Sequence, residues 1–104
     1  MSDYSINITE PAENDLRGIG DYIAQQLLEP EIARKVVNKI GNAIMTLEEN
    51  PLRNSLVADQ RLSLQGIRKI IVENFIVFYI VKEELRIVTI IRILYGRRDW
   101  MNLL

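Results

Sequence analysis

Apolar and polar positions alternate at the start of the chain, with Tyr4, Ile6 and Ile8 set against Ser5, Asn7 and Thr9. A period of two is that of a strand with one buried face, and a short opening strand is expected here. Thr9 can cap a helix, and Pro11 suits a first helical turn, where its missing N–H is not needed. Leu16, Ile19, Ile23 and Leu27 then recur every three or four residues, the signature of an amphipathic helix. Gly18 and Gly20 each lower helix propensity by about 1 kcal/mol relative to Ala, a loss that a close helix–helix or helix–sheet contact would justify. Pro30 restarts the chain, and Ile32, Val36, Ile40, Ala43, Ile44 and Leu47 form a second stripe with the same period. Glu48-Glu49-Asn50-Pro51 ends it, with Asn50 able to take a left-handed cap and Pro51 unable to continue the helix.

Residues 51–66 read as a loop, long for a compact domain and therefore either functional or partly structured. Strand material follows. Lys69 to Val72 and Phe75 to Val81 are rich in Ile, Val, Phe and Tyr, with Glu73-Asn74 between them as a tight turn. Lys82-Glu83-Glu84 makes the next turn, and Leu85 to Tyr95 forms a long last strand. The order β-α-α-β-β-β predicts an α+β domain with two helices on one face of a mostly antiparallel sheet. In the last strand Ile87, Thr89, Ile91 and Ile93 share one face, and Arg86, Val88, Ile90, Arg92 and Leu94 the other. An unpaired arginine is costly to bury, so the Arg92 face is expected to be the one the helices leave open. Phe78 and Tyr79 read as packing residues.

At 104 residues the chain is expected to be one domain, 1–104. No run of about 18 apolar residues is present and the N-terminus is polar and acidic, which argues against a membrane span and a secretory signal; the absence of cysteine fits a cytoplasmic location. The absence of both cysteine and histidine removes disulfides, thiolate nucleophiles, His-based triads and the usual metal ligands. No cofactor and no metal are expected. A net charge of −1 hides an asymmetry: residues 1–60 carry 5 Lys/Arg against 10 Asp/Glu, and residues 61–104 carry 8 against 4. Either surface charges fell this way, or the C-terminal half is built to meet an anion, nucleic acid or an acidic segment. A pI of about 5.4 is low for a nucleic-acid binder and favours a protein target.

The run Ile91-Arg92-Ile93-Leu94-Tyr95-Gly96-Arg97-Arg98-Asp99-Trp100 resembles the closing strand and tail of RelE/ParE toxins, and most closely the ParE-like branch. The opening Thr-Glu-Pro-Ala-Glu-Asn-Asp-Leu agrees, as do the helix pair ending in Asn-Pro and the hairpin of Gly66-Ile67-Arg68-Lys69 with Phe75-Ile76-Val77-Phe78-Tyr79. The resemblance spans essentially the whole chain. It implies the toxin of a bacterial type II toxin–antitoxin system, of the kind associated with plasmid stabilisation. Such a toxin is neutralised in a hetero-oligomer by a cognate antitoxin. ParE-like members poison DNA gyrase, whereas RelE-like members cleave mRNA on the ribosome.

Within the family, RNA cleavage uses Arg, Lys and a Tyr or His to stabilise a phosphate transition state and move protons. Ile76 stands where RelE-like enzymes carry one such Arg, and their late tyrosine would fall near Leu104. Arg98 matches a second Arg, and Tyr95 stands where other nuclease members carry His or Tyr. The expectation is therefore a gyrase inhibitor acting by contact, with no catalysis of its own. A nuclease using Arg68, Arg92, Tyr95 and Arg98, or an antitoxin-binding module without toxicity, are the alternatives. Binding to target or antitoxin is assigned to Arg68, Lys69, Arg92, Arg97, Arg98 and Trp100. Each has a structural reading beside it: Arg68 and Lys69 as cations at a strand start, Arg92 paired with Glu73, Arg97-Arg98 as a solvated turn, Trp100 folded back on the core. An acidic, leucine-bearing antitoxin segment would suit a basic open face and the grooves beside the helices.

Overall fold

The computed structural model describes residues 3–97 and 103–104. Strand β1 spans Ser5–Ile8 and helix α1 spans Glu10–Asp21. Thr9 joins them: its Oγ accepts from the Ala12 N–H at 3.3 Å and donates to the Ile90 carbonyl at 2.8 Å. A helix cap and a strand end are thereby fixed to each other. α1 widens into a π-helical turn over Tyr22–Gln26, and Leu28, in the left-handed region at φ 56°, reverses the chain into α2, Pro30–Met45. Gly20 meets Val37 of α2 at 3.2 Å from its ideal Cβ position, the close contact expected of it; Gly18 has no such neighbour.

The end of α2 differs from expectation. Asn50 is not left-handed (φ −152°), and the helix tightens instead through a 3₁₀ turn at Thr46–Glu48. The stretch 51–66 is partly structured: Pro51–Arg53 forms another 3₁₀ turn, Leu56 bridges to Arg68, and a short helix α3 spans Gln60–Leu64. Asp59 caps α3 by accepting from the Leu62 N–H at 3.0 Å.

β2 (Arg68–Val72), β3 (Phe75–Lys82) and β4 (Ile87–Tyr95) complete a four-stranded sheet in the order β1-β4-β3-β2. The neighbours are antiparallel except β1 and β4, which run parallel. The α+β prediction holds. β4 begins two residues later than expected, because Arg86 is left-handed (φ 55°) and sits in the turn with its guanidinium over the Tyr4 ring.

Two expectations about faces are overturned by one irregularity. The β3–β4 register slips between Phe78 and Tyr79, which pair with Arg92 and Ile90 and leave Ile91 as the extra residue. A bulge of this kind switches side-chain alternation. Val88, Ile90 and Ile93 consequently all join the helix-side core with Ala12, Ile40, Ile44, Leu47, Val77 and Tyr79. Ile91 and Leu94 go to the other face. That second face is not open either. Val57, Leu62 and Ile67 pack there on Ile76, Phe78 and Leu94, with Leu103 and Leu104 against them.

Tyr79 and Phe78 are fully buried packing residues. The Tyr79 hydroxyl donates to the Pro51 carbonyl at 2.7 Å, tying the 3₁₀ turn to the sheet. Burial is the main cause that pushes this phenol above its usual 10.0. Below pH 10 the phenol is neutral folded and unfolded alike. Above it the unfolded chain ionises first, so this residue's share of stability is lost as pH rises through the folded value. Tyr79→Phe is expected to cost about 1–2 kcal/mol at neutral pH and to flatten the alkaline loss, as read by denaturant unfolding between pH 7 and 11.

Candidate functional site

The described candidates are dispersed by the sheet. Arg68 lies on β2 and Arg92 on β4, with β3 between them. The Arg68 guanidinium donates to the carbonyls of Asn54 at 2.6 Å and Leu52 at 3.3 Å, clamping the Pro51–Arg53 turn. Lys69 lies opposite Phe78 on the second face and is half-buried. Tyr95 stacks edge-to-face on Phe75 with centroids 5.8 Å apart, at the far end of β4. Arg97 is exposed. Arg98 and Trp100 lie outside the described residues.

Arg92 departs most from expectation. It does not pair with Glu73, which forms an ion pair with Lys39 of α2. Nor does it stand on an open face. Its Nε and Nη2 donate to the Asp15 carboxylate at 2.7 and 2.9 Å. The same carboxylate accepts from the Ile93 backbone N–H at 3.0 Å. β1 ends at Ile8, opposite Ile90, so the β4 edge beyond that point has no strand beside it. Asp15 supplies there the acceptor that a longer β1 would have supplied. The hydrogen bonds that Arg92 donates to Asp15 are the main cause that raises its pKa above the usual value.

On the helix side, α1, α2 and the ends of β3 and β4 enclose a groove of 1080 Å³. Ile19, Ile23, Val36, Phe75 and Ile93 line its apolar floor, and Tyr22, Leu27, Ile32 and Tyr95 its rim. Lys35 and Lys39 stand on α2, and Asn14 and Asp15 on α1. Leu27 and Ile32 belong by periodicity to the core stripes, yet they are 52% and 47% exposed. The π-helical turn and the left-handed Leu28 between the two helices swing this corner away from the sheet. Sequence reasoning expected grooves beside the helices without placing this one, and it missed the role of Asp15. The signals available were Tyr22, an aromatic off the main stripe, and a strand arginine that required some carboxylate as partner.

Among the described residues no group of three His, Cys, Asp or Glu could hold a metal ion, and no helix is long and apolar enough to cross a membrane.

Comparison with known proteins adds three findings. The family profile described as the ParE toxin of the type II toxin–antitoxin system parDE matches residues 6–100. Among solved structures, a chromosomal ParDE toxin–antitoxin system from P. aeruginosa is similar at 25% identity and a TM-score of 0.73, covering 89% of this chain and 96% of that one. The RelBE2 toxin–antitoxin complex from Mycobacterium tuberculosis (21%, TM-score 0.63, 91% and 93% covered) and a mutant E. coli toxin RelE in its free state (16%, 0.66, 99% and 93%) share the fold. No curated protein matches the chain.

Asp15→Ala would leave the guanidinium of Arg92 and the Ile93 N–H without their acceptor, with the side chains of the pair only 25% and 14% exposed. A loss of about 2–4 kcal/mol is expected. By contrast Glu13→Ala, which breaks only a solvated helix pair with Arg17, should cost less than about 0.5 kcal/mol. Parallel thermal melts of the two variants check the contrast.

Proposed function

We propose that this chain, which belongs to the ParE toxin family of type II toxin–antitoxin systems, arrests growth by binding DNA gyrase and is silenced by an antitoxin helix laid in the α1–α2 groove. The observation that carries the first half is the commitment of Arg68 and Arg92 to the fold. A nuclease site needs cationic groups free to meet a developing phosphate charge and others placed to move protons. Arg68 is spent on two carbonyls and Arg92 on a carboxylate. Ile76 is apolar and 8% exposed. Tyr95 lies at the groove mouth with Phe75. The ParDE likeness and the closing motif through Arg97 and Arg98 support the same reading.

The second half rests on the groove's shape and charge. Its floor is apolar and Lys35 stands on the α2 wall beside the Lys39–Glu73 ion pair, which suits an amphipathic helix with leucine anchors and a carboxylate placed to meet Lys35. Toxin and antitoxin then form a hetero-oligomer whose affinity falls with salt, because part of the attraction is screened charge.

Purified toxin is expected to inhibit gyrase supercoiling while leaving cell-free translation intact. Halted translation with cut mRNA and untouched supercoiling would replace this reading with the RelE-like one. Gly18 also lines the groove and has nothing within 4 Å of where a Cβ would stand. Gly18→Leu should raise helix stability by up to about 1 kcal/mol. It should also weaken antitoxin binding by at least about tenfold, roughly 1.4 kcal/mol. Melting and calorimetric titration read the two effects separately, and unchanged affinity would move the antitoxin out of the groove.

A further inference from the structure

β2 is an edge strand, paired with β3 on one side. Its start is covered from outside: Leu56 bridges to Arg68, and the Lys69 N–H donates to the Ser55 carbonyl at 3.3 Å. In an antiparallel pair every second residue turns its N–H and C=O outward together. Lys69 is one of these, so Ile71 is the next. Among the described residues no strand lies outside Ile71, and it is 66% exposed. An open edge that carries a large apolar side chain is a template for pairing with another chain. The surroundings are basic. Residues 51–72 carry Arg53, Arg61, Arg68 and Lys69 against one carboxylate, Asp59, which caps α3. The Arg68 guanidinium clamps the turn that bears the exposed Arg53, which holds that cation near the start of β2. The opposite edge of the sheet differs, for the hollow beside β1 is lined by Asp3 and Glu48 as well as Arg86.

We propose that the outer edge of β2 is where the toxin meets its target: an extended, acidic segment of gyrase pairs with Ile71 as an added strand. The proposal rests on the reading that the chain acts on gyrase by contact. Backbone hydrogen bonds at Ile71 supply the pairing, and Lys69 and Arg53 favour a segment with carboxylates over a neutral or basic one. The excess of cations in the C-terminal half thereby has a use that the antitoxin groove does not give it. Silencing also acquires a steric basis. Glu73 and Asn74, the turn directly after Val72, line the α1–α2 groove. A helix that fills the groove stands against this turn, next to the open edge, so antitoxin and target contest adjoining ground.

The test variant is Ile71→Pro. Proline removes the outward N–H and, at a sheet edge, breaks no bond of the ladder. The variant is expected to keep a cooperative thermal melt and to raise the half-inhibition concentration for gyrase supercoiling about tenfold. Arg53→Glu should raise it as well, whereas Arg34→Glu, which reverses another exposed cation on α2, should leave it unchanged. Hydrogen–deuterium exchange in peptides spanning Ile71 gives a readout that a merely structural role would not move. Exchange at this amide is expected to be fast in the free chain and to slow when purified gyrase is added. Unchanged half-inhibition by folded Ile71→Pro would overturn the proposal, as would exchange at Ile71 that gyrase leaves unaltered. An amide already protected in the free chain, with sedimentation showing a dimer, would assign the edge to a second copy and overturn it too. Should Ile71→Pro fail to fold, Arg53→Glu and the exchange measurement decide. If the unaltered chain neither binds nor inhibits gyrase, the gyrase reading fails and this proposal with it. Inhibition without protection at Ile71 sinks this proposal alone.

Discussion

A single carboxylate solves two problems that the sheet creates at one place. β1 is four residues long and stops at Ile8, leaving the edge of β4 bare beside the protein's main core. Just there the bulge turns Arg92 toward the second face, against an apolar cluster where an unpaired guanidinium would be costly. Asp15, one turn into α1, accepts from both the orphaned N–H and the guanidinium. The helix is thus docked to the sheet by a directional contact as well as by apolar packing. Thr9 repeats the device six residues earlier by bonding to Ile90. The orientation of α1, and with it one wall of the groove, follows from these two polar side chains.

The groove has a cause of its own. An uninterrupted helical hairpin would turn its apolar stripes fully onto the sheet. Here the π-helical turn and the left-handed Leu28 displace the corner, so Tyr22, Leu27 and Ile32 stay in solvent. Three large apolar side chains around a concave, apolar floor are a costly thing to leave uncovered unless a partner covers them. The second face is treated differently, because α3 and the two final leucines already cover it.

Element type and order were legible because the signals were local: alternation over residues 4–9, two stripes of helical period, and turn residues between runs of β-branched side chains. Which face each β4 residue occupies was not legible. Alternation assumes a regular ladder, and the slip between Phe78 and Tyr79 is a property of the pairing that neither strand announces alone. The partner of Arg92 was hidden for a related reason: Asp15 lies 77 residues away in sequence, and among Glu13, Asp15 and Asp21 nothing local singles it out. The covering of the second face came from residues 51–66, where short turns leave no periodic trace. Family kinship was readable from the closing motif because that motif joins a strand, a tight turn and a basic run at fixed spacing.

The position of β4 carries a consequence for the order of assembly. Of the four described strands it is the last in sequence, yet it lies inside the sheet, between β1 and β3. β1 and α1 are synthesised roughly 65–80 residues before the strand they dock against, and β1 has no neighbour in the sheet until β4 arrives. Contacts of such long sequence separation are slow to close, and the face of α1 that packs on β4 stays uncovered until that strand is made. Until β4 is in place β1 lacks its strand neighbour, and the apolar surfaces that β4 covers are open to chaperones and proteases.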